Sequence, residues 1–167
     1  MTQRKNVLAA FADFCTGCRT CEIVCSLKHT GTANPALARL KLVHSRKDHS
    51  TFPIICRHCK NAPCQAACPV PGAMHTDPKT AAVIINEEKC IQCLACVEAC
   101  PFAAIQVGPA REILKCDLCG GNPLCAEYCP PVGHLYPHMP RPAQSCLQFV
   151  EASRVTKNKR QSVARKA

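Results

Sequence analysis

Apolar and polar positions in this chain alternate in short bursts separated by turn residues. Residues 73–85, AMHTDPKTAAVII, run toward Asp77-Pro78 and away again, which predicts a hairpin turning near that pair. Residues 103–115, AAIQVGPAREILK, predict a second hairpin turning at Gly108-Pro109. LKLVH, at 40–44, reads as a strand inside a basic segment, residues 26–55, where Lys28, Arg39, Lys41, Arg46 and Lys47 stand against Asp48. QAAC and VEAC each give about one helical turn, and no pattern sustains an amphipathic helix through residue 129. Residues 129–142, CPPVGHLYPHMPRP, hold five prolines and must be largely extended. The tail after Glu151 carries six Lys or Arg and no acid, and reads as a disordered basic run or a docked helix.

Elements this short leave the core unexplained, and composition sharpens the problem. The chain has 167 residues, enough for one domain or two small ones, yet only 4% are aromatic and none is Trp, so large rings cannot fill a core. Cysteine is abundant instead, with 17 residues. In a short secreted chain that density would indicate a disulfide scaffold. The beginning, MTQRKNVLAAFADFC, has no apolar run before Asp13 long enough for a signal-peptide core and no twin-arginine pair. No segment approaches the roughly 20 apolar residues that span a bilayer. These features predict a cytoplasmic, reducing setting with no direct membrane span, in which dense cysteine means metal.

The cysteines fall into one motif repeated four times. CTGCRTCEIVC carries Cys15, Cys18, Cys21 and Cys25; CRHCKNAPCQAACP carries Cys56, Cys59, Cys64 and Cys68. CIQCLACVEACP carries Cys90, Cys93, Cys96 and Cys100; CDLCGGNPLCAEYCP carries Cys116, Cys119, Cys125 and Cys129. Cys146 is left over. Three closely spaced thiols let one tight loop wrap three corners of a cubane cluster, and the fourth corner faces away. In the bacterial ferredoxin pattern the fourth cysteine of each motif ligates the other cluster. Pro69, Pro101 and Pro130 follow the fourth cysteine in three motifs and stop the short helix there. Ser26 stands at that place in the first motif, the one departure. Gly17, lacking a Cβ, lets backbone N–H groups approach the cluster sulfides. Structural zinc sites pair two C-x2-C knuckles a dozen or more residues apart, a template these motifs fit poorly.

The net charge of +10 invites a nucleic-acid partner until the clusters are counted. A 4Fe–4S cluster with four thiolates carries about −2 oxidised and about −3 reduced, so four of them bring the total to about +2 or about −2. Two Tyr, five Phe and no recognition motif add nothing to the nucleic-acid reading, and no such partner is expected.

Four such motifs within about 115 residues resemble the four-cluster ferredoxin-like subunits of molybdenum and tungsten oxidoreductases, the electron-transfer subunits of dimethyl sulfoxide reductase, formate dehydrogenase and respiratory nitrate reductase. CRHCKNAPCQAACP followed by GAMHTDPKTAAVIINEEKCIQC looks much like the middle section of that family, and the resemblance covers residues 7–130. The compact length brings the chain nearest to the small polyferredoxin subunit of tungsten-dependent aldehyde oxidoreductase complexes, with class II benzoyl-coenzyme A reductases close behind. The resemblance implies that motif one interlocks with four, and two with three. Cluster 1 then takes Cys15, Cys18, Cys21 and Cys129, and cluster 2 takes Cys116, Cys119, Cys125 and Cys25. Cluster 3 takes Cys56, Cys59, Cys64 and Cys100, and cluster 4 takes Cys90, Cys93, Cys96 and Cys68. The 21 residues between Cys68 and Cys90, with their hairpin signal, suit one compact two-cluster unit.

The implied fold is α+β: two ferredoxin-like modules, each with two 4Fe–4S clusters, built from short hairpins and one-turn helices around a cofactor-filled core. Residues 1–130 would form this polyferredoxin domain, and residues 131–167 a proline-rich arm with a basic C-terminal tail. The implied function is electron relay between a tungsten- or molybdenum-pterin catalytic subunit of the aldehyde oxidoreductase kind and a flavin subunit or ferredoxin. A free-standing polyferredoxin carrier is the alternative. Sixteen thiols for sixteen irons leave no open iron for substrate, so no catalytic residue is expected. Cys146 reads as a free buried thiol. His58 either donates to a cluster sulfur or faces solvent. His134 and His138 share a spacing that suits metal on a helix, which Pro137 and Pro140 oppose. Glu22, Glu98 and Glu127 read as exposed helix positions. The basic tail is a solvated run or docks on an acidic face, including that of another copy, so that copies self-associate through it.

Overall fold

The structure, a computed structural model, describes residues 6–47, 49–131 and 144–155. Its strands pair as four separate antiparallel ribbons. Strands β1 (Asn6–Ala10) and β8 (Leu147–Glu151) join the two ends of the described chain. Strands β2 (Lys41–His44) and β3 (Thr51–Ile54) form the next ribbon, followed by β4 (Met74–Thr76) with β5 (Val83–Ile85) and β6 (Ile105–Val107) with β7 (Ile113–Lys115). Between them run helices α1 (Thr20–Thr30), α2 (Pro63–Ala66), α3 (Ala95–Glu98) and α4 (Leu124–Glu127). This mixture of small strands and few helices is consistent with the α+β class that the sequence implies.

Both hairpins turn where the local residues dictate. The Asp77 carboxylate accepts from the Thr80 N–H at 3.0 Å, the Lys79 N–H at 3.3 Å and the Thr80 hydroxyl, which closes the β4–β5 loop. Between β6 and β7, the Gly108 N–H donates to the Glu112 carbonyl at 2.8 Å, and the Arg111 N–H donates back to Gly108 at 2.9 Å. The strand expected at 40–44 is β2, with Leu42 buried.

The expectation that no helix is sustained through residue 129 fails at α1, which runs for 11 residues. Two features of its sequence explain the miss. Its buried positions are Cys21, Glu22, Cys25 and Ser26, one helical face made of thiols and polar groups, so no apolar stripe announces it. Ser26 also replaces the helix-stopping proline. Its hydroxyl donates to the Ile23 carbonyl at 3.0 Å and accepts from the Asn34 N–H at 3.0 Å, and the helix continues until Gly31 closes it at φ +70. The other three helices are four residues long and end just before a Cys-Pro pair.

Burial is concentrated in two groups of side chains. One gathers Leu8, Cys21, Cys25, Ala38, Leu40, Leu42, Ala82, Leu118, Cys125 and Leu147. The other gathers Cys64, Met74, Val83, Cys96 and Ile105. Leu147 is 1% exposed, so within residues 131–167 the stretch that forms β8 packs into the first group. Most of the proline-rich stretch, with His134 and His138, and the basic tail beyond residue 155 lie outside the described residues. Among the described residues no helix is long and apolar enough to cross a membrane.

Candidate iron–sulfur sites

Each C-x2-C loop reverses direction through a left-handed residue placed just before its second cysteine. Gly17 has φ +73, His58 +46, Gln92 +56 and Leu118 +58. A left-handed residue in a tight loop turns successive N–H groups toward one point, making a concavity that suits anions. Only the first motif supplies glycine there, and the other three hold a side chain in a conformation it resists. At Gly17 only the φ favours glycine, because a Cβ would meet the Thr51 side chain at an ordinary 3.5 Å.

The N–H groups reach sulfur. His58 N–H lies 3.4 Å from Cys56 Sγ, and Leu118 N–H lies 3.5 Å from Cys116 Sγ. The fourth cysteines of three motifs accept from more distant backbone: Cys25 from Arg39 at 3.3 Å, Cys100 from Ala104 at 3.4 Å and Cys129 from Leu147 at 3.4 Å.

Around these loops the structure brings the thiols together in fours. One hollow is lined by Cys15, Cys18, Cys21 and Cys129, with Cys146 beside them. A second is lined by Cys25, Cys116, Cys119 and Cys125, and it reaches Cys56. A third has Cys56, Cys59, Cys64 and Cys100. A fourth has Cys68, Cys90, Cys93 and Cys96. Each holds three thiols of one motif together with the fourth cysteine of another. Cys56 lines both the second and the third hollow, Cys21 and Cys125 fall in one buried group, and Cys64 and Cys96 fall in the other. The exposed ligating-type cysteines are Cys18 and Cys93, in the first and fourth hollows.

Burial drives eight of these thiols toward the neutral form. It pushes Cys21 and Cys116 up to about 12 and Cys25 and Cys96 up to about 11, and it moves Cys64, Cys119, Cys125 and Cys129 in the same direction. Nearby thiols add to the effect at Cys21, where charge on Cys129 would repel a second anion. A metal entering such a site must displace these protons, and soft thiolates arranged in fours suit iron–sulfur chemistry. Cys15 is the exception: a hydrogen bond from Cys146 brings it down to about 6. Cys146 is buried, as a free thiol would be, and it sits against a ligand-type cysteine. Beside the second hollow, His29 Nε2 lies 3.9 Å from Cys119 Sγ and 3.5 Å from Asp117, which also receives Arg39 at 3.0 Å. That trio is close enough to hold an ion, but Cys119 belongs to the four-thiol set.

Three side chains depart from what their sequence positions predict. Glu22 is fully buried rather than exposed, because its carboxylate accepts the Leu42 N–H at 2.9 Å; Glu98 and Glu127 are exposed. His58 is buried, with ring Nδ1 accepting from the Val83 N–H at 3.1 Å, while its backbone N–H makes the contact to sulfur. Lys115, at the end of a hairpin strand, is 4% exposed and directs its ammonium to Cys56 Sγ at 3.4 Å and to the Val83 carbonyl. Its place directly before Cys116 was the only signal in the sequence.

Comparison with known proteins agrees with this chemistry. The chain is 45% identical over 123 residues to the aliphatic sulfonate oxidoreductase polyferredoxin-like subunit of Pyrococcus furiosus, covering 73% of this chain and 70% of that one. It is 30% identical over 159 residues to formate hydrogenlyase subunit 2 of Escherichia coli (strain K12), covering 72% and 76%. Among solved structures, the active-site complex BamBC of benzoyl coenzyme A reductase with zinc overlays 98% of this chain and 93% of that one at 19% identity, with a TM-score of 0.48. Residues 12–31 match a 4Fe-4S binding domain. Residues 47–135, more than half of the chain, match the 4Fe-4S dicluster domain, and the protein belongs to that family of ferredoxin-type iron–sulfur proteins.

Proposed function

We propose that this chain is the electron-transfer subunit of an oxidoreductase complex and carries four 4Fe–4S clusters, one in each four-thiol hollow. The ligand sets are Cys15, Cys18, Cys21 and Cys129; Cys25, Cys116, Cys119 and Cys125; Cys56, Cys59, Cys64 and Cys100; and Cys68, Cys90, Cys93 and Cys96. The observation that carries this reading is four hollows, each of which brings three thiols of one motif together with the fourth cysteine of another. The family and the oxidoreductase subunits among its relatives support it.

Bound clusters would supply one-electron chemistry. The chain's own part is to fix the distances between the hollows, donate N–H groups to sulfur and exclude water. It has two ends for partners, near Cys18 and near Cys93. One end would meet a tungsten- or molybdenum-pterin catalytic subunit of the aldehyde oxidoreductase kind, the other a flavin subunit or ferredoxin, in the cytoplasm. The first and second hollows would form one ferredoxin-like module, the third and fourth another, together making a domain over residues 1–130. The arm and tail over 131–167 would let copies associate. Removing residues 156–167 tests the last point, since unchanged particle mass counts against it.

Anaerobic purification from the native host, with iron, sulfide, tungsten and molybdenum measured beside the co-eluting chains, tests the whole. About 16 iron per chain with a large tungsten or molybdenum partner is the expected result. The same iron without a partner would mean a mobile carrier, and zinc in place of iron would defeat both readings.

A further inference from the structure

Among the described residues, thiols aside, the buried side chains that can carry charge are Glu22, Lys115 and His58. They stand beside different hollows of the thiol series. Lys115 leaves β7 between the second and third hollows and lines the third. Its Nζ donates to Cys56 Sγ at 3.4 Å and to the Val83 carbonyl, and its charge also acts on Cys64, two thiols of one hollow. Glu22 is next to Cys21, a thiol of the first hollow, and is held by the Leu42 N–H. Its other oxygen has Arg19 Nε at 3.9 Å, from a side chain half exposed to solvent.

A cluster ringed by thiolates is an anion that becomes more negative when it accepts an electron. A buried cation bonded to one of its sulfurs stabilises the reduced form more than the oxidised one, and a buried anion does the reverse. Hydrogen bonds to sulfur are a recognised lever on such potentials, and a charged donor is stronger than a neutral one.

We infer that Lys115 is a potential-setting residue that makes the Cys56/Cys59/Cys64/Cys100 cluster the highest-potential station of the four, with Glu22 holding the Cys15/Cys18/Cys21/Cys129 cluster low. The electron gained is the one the relay delivers, and no bond forms or breaks. The series is therefore graded, with an electron resting in the interior next to Lys115 rather than at either exposed end.

This inference rests on the four-cluster reading, which the iron and sulfide content of the unaltered protein tests by itself. The test of Lys115 is a redox titration followed by electron paramagnetic resonance on the anaerobic full-length protein and its variants. Lys115→Met should lower the highest midpoint by at least tenfold in the reduction equilibrium, about 59 mV for one electron. Lys115→Arg, which keeps the charge, should restore it, and Glu22→Gln should raise the lowest midpoint. An unmoved highest midpoint in a Lys115→Met protein with full iron overturns the inference. If that variant loses iron, Lys115→Gln decides by the same criterion: a lowered midpoint supports the charge, and an unmoved one overturns it.

Discussion

The buried group around Cys64, Met74, Val83, Cys96 and Ile105 draws only on residues 64–105, while the group around Cys21, Cys25 and Cys125 needs Leu8 from one end of the chain and Leu147 from the other. Both groups use the same motif, the same small side chains and the same thiols. They differ in how much chain must be organised before they close. Ring closure costs entropy that grows with the logarithm of the loop, so the inner group is assembled from cheap local contacts and the outer one from distant ones. The outer group compensates with longer elements: an 11-residue helix and the five-residue strands β1 and β8, against four-residue helices and three-residue strands inside.

Removing one thiol of the outer group should break the contrast most severely. Cys125→Ser takes a ligand from the second hollow, and we expect a loss of about four irons per chain, read by iron analysis, with electron flow between the two exposed ends interrupted. Ser26→Pro asks whether the outer helix can tolerate the residue that ends the inner ones. Proline in a helix interior should cost about 3 kcal/mol or more, and here it also removes the hydroxyl contacts to Ile23 and Asn34. Pro101→Ser, beyond the end of α3, should cost far less, and anaerobic denaturant unfolding compares the two. Leu147→Ala should destabilise by about 2–5 kcal/mol and Met74→Ala by a similar amount. Hydrogen exchange should separate them: the first opens β1, β8 and α4 while leaving β4 and β5 protected, and the second does the opposite. The smallest change is Gly31→Ala, where a Cβ meets nothing within 4 Å but φ is +70, so about 1 kcal/mol of backbone strain is expected in a thermal melt.

The same contrast explains what could be read in advance. The β4–β5 and β6–β7 hairpins were legible because Asp77-Pro78 and Gly108-Pro109 encode their turns within a few residues. The one-turn helices were legible because proline stops them. Helix α1 was not, since its inward face is Cys21, Glu22, Cys25 and Ser26, and burial there follows from thiols and one carboxylate finding partners, not from an apolar stripe. The β1–β8 ribbon was not legible either, because NVLAA acquires a strand's role only when LQFVE arrives from the far end. Lys115 and Glu22 share that limit: a charge is normally read as a surface residue, and only the fold reveals the sulfur or amide that receives it.

The β1–β8 ribbon also imposes an order on biosynthesis. Residues between Cys56 and Cys100 emerge from the ribosome before Cys129 and strand β8 do, so on the proposed ligand sets the inner hollows can be completed first. Cys15, Cys18 and Cys21 emerge before either inner motif, yet their hollow lacks its fourth wall until Cys129 and Leu147 follow. The nascent protein must therefore hold three open thiols while the inner motifs are made. Delivery of iron and sulfide to the earliest of the four motifs would follow delivery to the inner ones, and a chain truncated before residue 147 would carry its inner clusters with an outer site still open.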